Sequence, residues 1–102
     1  MSSLTSKQRA YLRKLAHHLK PMVLIGSDGV SAAVVDAVGD ALNTRELLKV
    51  KLQDSAPLEV RNAADALAES VLDVQPVQTI GRTIVLYRRH PDHPEIDLPG
   101  AG

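Results

Sequence analysis

No cysteine occurs in the 102 residues, which removes disulfide scaffolds, thiolate metal sites, iron–sulfur clusters and thiol nucleophiles, and suits a reducing, cytoplasmic setting. Tryptophan and phenylalanine are also missing, leaving Tyr11 and Tyr87 as the aromatic complement, so a broad platform of stacked rings for reading unpaired bases is excluded. No uninterrupted apolar run exceeds the four residues of Met22 to Ile25. That is far short of a membrane span, and the amino-terminal stretch lacks the apolar segment of a secretory signal. Net charge is lacking too, with 12 Lys and Arg against 12 Asp and Glu. No whole-molecule field therefore draws in a polyanion, and any electrostatic argument must be local. What is present, 44% hydrophobic residues in a chain of this length, suffices for one compact core.

The zero sum hides segregation. Residues 1 to 27 contain Lys7, Arg9, Arg13, Lys14 and Lys20 and no acid, whereas residues 52 to 80 hold Asp54, Glu59, Asp65, Glu69 and Asp73 against Arg61 alone. Arg82, Arg88 and Arg89 then restore positive charge. Solvated helix faces explain any one such run, but recurrence in separate segments predicts two faces of opposite sign.

Thr5 followed by Gln8 fits a capping box, and Leu12, Leu15, Ala16 and Leu19 recur at helical spacing, predicting a first helix from Ser6 to Leu19 that Pro21 stops. Its outer surface is wholly basic, carrying Lys7, Arg9, Arg13, Lys14, His17 and His18. Met22 to Ile25 reads as a strand covered on both faces or at the sheet centre. Ser31 caps a second helix with Val34, Val35, Val38, Ala41 and Leu42 inward. Leu48, Val50 and Leu52 alternate with Lys49, Lys51 and Gln53, the period of a half-buried strand whose lysines face outward. Ser55 and Pro57 open a third, acidic helix. Val74 to Ile80 reads as a strand, with Pro76 arguing for an edge position or for a strand beginning only at Val77, and Gly81-Arg82 turns it back through Thr83 to Tyr87. A proline-rich extended tail, residues 90–102, follows a single domain of residues 1–89, with Ile96 and Leu98 as its anchors. The order α-β-α-β-α-β-β implies an α/β fold, a small mixed four-stranded sheet layered with helices; strand order does not follow from the pattern.

The strongest local signal is Gly26-Ser27-Asp28-Gly29, a G-x-x-G loop between a strand and a helix. Glycines let the backbone approach a phosphate, and the amides of Gly29, Val30 and Ser31 with the helix's positive end face the same place. Lys20, Lys49 and Lys51 would supply charge. Asp28 opposes this, because a carboxylate inside such a clamp repels phosphate unless it turns outward or caps the helix. The alternative, that both glycines only permit a tight turn, has equal standing on spacing alone. The loop is neither a Walker motif nor a dinucleotide fingerprint. His17 and His18 are adjacent, so a regular helix cannot aim both at one metal, and no metal site or cofactor is expected. Ser27, Ser31 and Ser55 lack His and carboxylate partners, and Asp36 and Asp40 fall on an exposed helix side, so no catalytic constellation emerges.

Four ordered blocks carry a wider resemblance: Leu4 to Gln8, Leu19 to Val30, Glu46 to Lys51, and Ile80 to Arg88. Together they resemble the bacterial YhbY-type proteins, which consist of a single CRM (chloroplast RNA splicing and ribosome maturation) domain. The resemblance implies a fold similar to the C-terminal domain of translation initiation factor three, with a loop like that of KH RNA-binding domains. It implies RNA binding without catalysis, to ribosomal RNA in precursors of the large subunit whose assembly it assists; a monomer is expected. Gly26, Ser27 and Gly29 in the loop, with Lys7, Arg13, Lys14, Lys20, Lys49, Lys51 and Arg82, are the expected RNA contacts. The competing expectation is a protein-interaction module that reaches the ribosome through ribosomal proteins, using the acidic helix or the tail.

Overall fold

A computed structural model describes residues 4–100. The elements are α1 (Ser6–Ala16), β1 (Pro21–Ile25), α2 (Ala32–Leu42), β2 (Leu47–Leu52), α3 (Val60–Ser70), β3 (Gln75–Ile80) and β4 (Thr83–Tyr87), in the expected order. The strands form one sheet ordered β1-β2-β4-β3. β1 runs parallel to β2, while β4 is antiparallel to both β2 and β3.

The capping box closes both ways: the Gln8 amide N–H donates to Thr5 Oγ1, and the Thr5 N–H to Gln8 Oε1, each at 3.0 Å. The helix ends at Ala16, three residues before the predicted Leu19. The chain tightens there, with the His17 N–H reaching the Lys14 carbonyl and the Leu19 N–H the Ala16 carbonyl, and Pro21 disfavours helical geometry at the residue before it. α3 starts at Val60 rather than at Ser55 or Pro57. Its lead-in is held as a loop by an Ala56 N–H to Gln53 carbonyl turn, and by Pro57 and Leu58 packing close to Gly29.

The sheet separates two apolar clusters. On one face α2 and α3 seal Val23, Ile25, Leu48, Val50, Leu52, Ile84 and Leu86 with Val38, Leu42, Ala63, Ala64 and Leu67. On the other face α1 sets Leu12 and Ala16 against Leu47, Val77, Val85 and Tyr87. α1 packs along β2, β4 and β3, so the β1 side of this face stays open. Here the reading of Met22 to Ile25 as a doubly covered or central strand is corrected. β1 is an edge strand, with Val23 and Ile25 buried but Met22 and Leu24 about half exposed, at 49% and 51%.

β3 is the other edge, as Pro76 requires, and its register shifts between Pro76 and Gln78. Arg9 serves this bulge: Nη1 donates to the carbonyls of Pro76 and Val77, both at 2.8 Å. It is a tie between helix and sheet, not part of the basic outer surface assigned to it from spacing. A second such tie is Glu46, a buried residue whose carboxylate accepts the N–H groups of His90 (2.7 Å), Glu95 (2.7 Å) and Ile96 (2.8 Å). It holds the tail so that Ile96 and Leu98 pack against the α1-side cluster. Arg88 braces the far end, donating to the carbonyls of Leu72 and Gly39 and to Asn43 Oδ1.

Candidate nucleic-acid interface

Because Leu12 and Ala16 turn α1 towards the sheet, the 3.6-residue repeat sends Arg13, Lys14 and His17 to its flank. The period-two repeat of β2 sends Lys49 out of the same sheet face as Leu47, away from Leu48 and Val50. These two geometries meet in a groove of about 550 Å³ between α1 and the sheet. Arg13, Lys14 and Lys49 form its cationic rim, with His17 and His18 beside them. Ala16 and Val85 contribute apolar lining, with Gln78 and Ile80 from β3. The histidine rings lie edge to face, centroids 5.3 Å apart. Among the described residues the one ion pair joins Arg82 to Asp54, so no carboxylate neutralises the groove's cations.

Lys51 is exposed two positions along β2, about 7 Å from Lys49, on the same face and opposite Leu24 and Thr83. Lys20 is exposed just before Pro21, which pairs with Lys49. Lys7, also exposed, sits two helical turns before Lys14. Arg82 differs from these. Its guanidinium donates to the carbonyls of Gln53 (Nη2, 2.6 Å) and Leu52 (Nε, 3.3 Å) and lies 4.0 Å from Asp54, so it closes the hairpin end of the sheet.

The G-x-x-G loop follows β1 at that end. Gly29 takes φ +67°, and a side chain there would meet Pro57; a Cβ at Gly26 would lie 2.9 Å from Gln53 Oε1. The Gly29 N–H donates to the Gly26 carbonyl and the Ser31 N–H to the Gly29 carbonyl, while Ser31 Oγ caps α2 by accepting from Val34. Two of the three amides expected to face a phosphate are therefore engaged within the turn. Ser27 and Asp28 are exposed at the tip. With Asp28 and Asp54 both nearby in the chain ends of β1 and β2, positive charge gathers on the α1 flank and the β2 lysines rather than around the glycines.

The opposite layer carries the other sign. Asp36 and Asp40 on α2 and Asp65 and Glu69 on α3 are exposed, with Arg61 as their cation. Sequence reasoning missed Gln78 and Ile80, since nothing in the chain pattern foretells that β3 lies under the flank of α1.

The profile of the CRS1 / YhbY (CRM) domain matches residues 4–88. The chain belongs to this family. Probable RNA-binding protein YqeI of Bacillus subtilis is 40% identical to it over 96 residues, covering 94% of this chain and 99% of the relative. An RNA-binding protein of Haemophilus influenzae is 37% identical, covering 97% and 98%. The solution structure of a Staphylococcus aureus protein put forward as RNA binding matches with a TM-score of 0.76 at 37% identity, covering 95% of this chain and all of that one. These CRM-domain relatives are named for RNA binding and not for a reaction.

Proposed function

We propose that the protein binds structured RNA through the α1 side of its sheet, and that this RNA is ribosomal, in precursors of the large subunit whose assembly it assists. One observation carries the RNA reading: cations from α1 and β2, far apart in sequence, share one groove while the acids of α2 and α3 occupy the opposite layer. A polyanion approaching a neutral molecule is thereby oriented as well as attracted. The names of the relatives support RNA as the ligand. The ribosomal target is the expectation that comes with the family.

The test is the salt dependence of binding to structured RNA, followed by fluorescence anisotropy. Log affinity falls linearly with log salt, and Lys14→Ala or Lys49→Ala each reduce the slope by about 0.7 to 0.9 if each meets one phosphate. Neutralising Asp65 and Glu69 leaves the slope unchanged. An affinity indifferent to salt would overturn the reading. Crosslinking in growing cells followed by mapping of the contacts tests the ribosomal part, and contacts outside ribosomal RNA would remove it.

A further inference from the structure

The groove is built for more than charge. Phosphate alone calls for cations on an accessible surface, and a continuous A-form duplex is met through its backbone and shallow minor groove with the bases stacked away. Neither explains a concave site with aliphatic walls. Here Ile80 and the exposed Ala10 supply apolar surface over a floor of buried Val85, Gln78 supplies an amide with both donor and acceptor, and Lys14 and Lys49 stand at the rim. Ile80 is 55% exposed, an aliphatic side chain left uncovered beside two ammonium groups. The volume of about 550 Å³ is in the range that admits a small organic ligand, about 300–1,000 Å³.

Only one unit of an RNA has a matching set of parts: an unstacked nucleotide, with an apolar ring face, a hydrogen-bonding edge and a phosphate. We infer that the groove takes a single unpaired nucleotide of the bound RNA, its base against Ile80, its edge at Gln78 and its phosphate between Lys14 and Lys49. This rests on the RNA-binding reading and deepens it. Aliphatic contact substitutes for the aromatic stacking that the composition denies. The preferred RNA is then one with a loop or bulge.

The experiment compares two RNAs of equal length and charge, a hairpin with an unpaired loop and a fully paired duplex, by anisotropy at fixed salt. The hairpin binds about fivefold more tightly, the low end of what stacking one base on an aromatic ring yields, because the contact here is aliphatic. Ile80→Ser and Gln78→Ala narrow that ratio while leaving the salt slope intact, since neither removes a cation, and circular dichroism checks that both fold. 2-Aminopurine in the loop changes its fluorescence on binding the wild-type protein. Equal affinity for hairpin and duplex, with salt dependence retained, overturns the inference and leaves RNA binding standing. Failure to bind either RNA removes the RNA reading itself. Free nucleoside monophosphates binding as tightly as the hairpin also overturn the inference, by making the groove a small-molecule site.

Discussion

The face of the sheet under α2 and α3 is sealed along all the strands that reach it, whereas the face under α1 is sealed at one end and open at the other. β1 displays the contrast within two adjacent residues: Ile25 is fully buried against the α2–α3 side, and Leu24 is half exposed on the α1 side. A sheet wrapped by two helices on one face and one on the other cannot bury both faces equally. The uncovered part is where exposed aliphatic and cationic side chains coexist without lowering the stability of the core. Stability and binding are thus distributed to opposite faces, and the distinction can be broken experimentally.

The largest effect is expected at β1. Ile25→Ala removes buried methyl groups and leaves a cavity, costing about 2–5 kcal/mol in urea unfolding, whereas Leu24→Ala, which gives up only the half of its side chain that is covered, costs about 1 kcal/mol. Equal losses at the two positions would mean that the α1 face is closed over β1, and the division would fail. A smaller effect separates two cations of one helix. Arg9→Ala leaves the carbonyls of Pro76 and Val77 without their donor and costs about 1–3 kcal/mol, with the salt slope of RNA binding unchanged. Lys14→Ala does the reverse. A reduced salt slope for Arg9→Ala would return that residue to the binding surface.

Most of the architecture was legible because it rests on local chemistry: the Thr5–Gln8 box, the Ser31 cap, the lysine alternation of β2 and the Gly81 turn each act within a few residues. The meeting of Lys14 with Lys49 was legible only as two separate basic runs, since their proximity depends on strand order. What escaped depends on partners distant in the chain. Arg9 looks like any solvated cation until β3 brings its bulge carbonyls alongside, and nothing beside Glu46 in the chain announces that the tail returns 44 residues later to its carboxylate. The G-x-x-G loop was legible as a turn but not in its hydrogen bonding, because a glycine's letter does not say where its N–H points.

The smallest expected effect tests how tightly the closed end of the α1 face is sealed. Tyr87 is only 2% exposed. Burial pushes its phenol above the ordinary value of 10.0, the charge of Glu46 pushes the same way, and Arg89 opposes them. Below the ordinary value the phenol is protonated in folded and unfolded chains alike, so it makes no difference to stability. As pH climbs past that value the unfolded chain releases the proton first; the folded state then binds more protons, and stability falls until the folded phenol ionises as well. In a Tyr11→Phe background, tyrosinate absorbance therefore reports Tyr87 ionising late, and unfolding midpoints decline across the same alkaline window. Glu46→Gln removes the second cause and moves the ionisation back towards the ordinary value. Ionisation of Tyr87 at the ordinary value in the unsubstituted protein would mean that water reaches the phenol, and that this end of the face is as open as the end that carries Leu24.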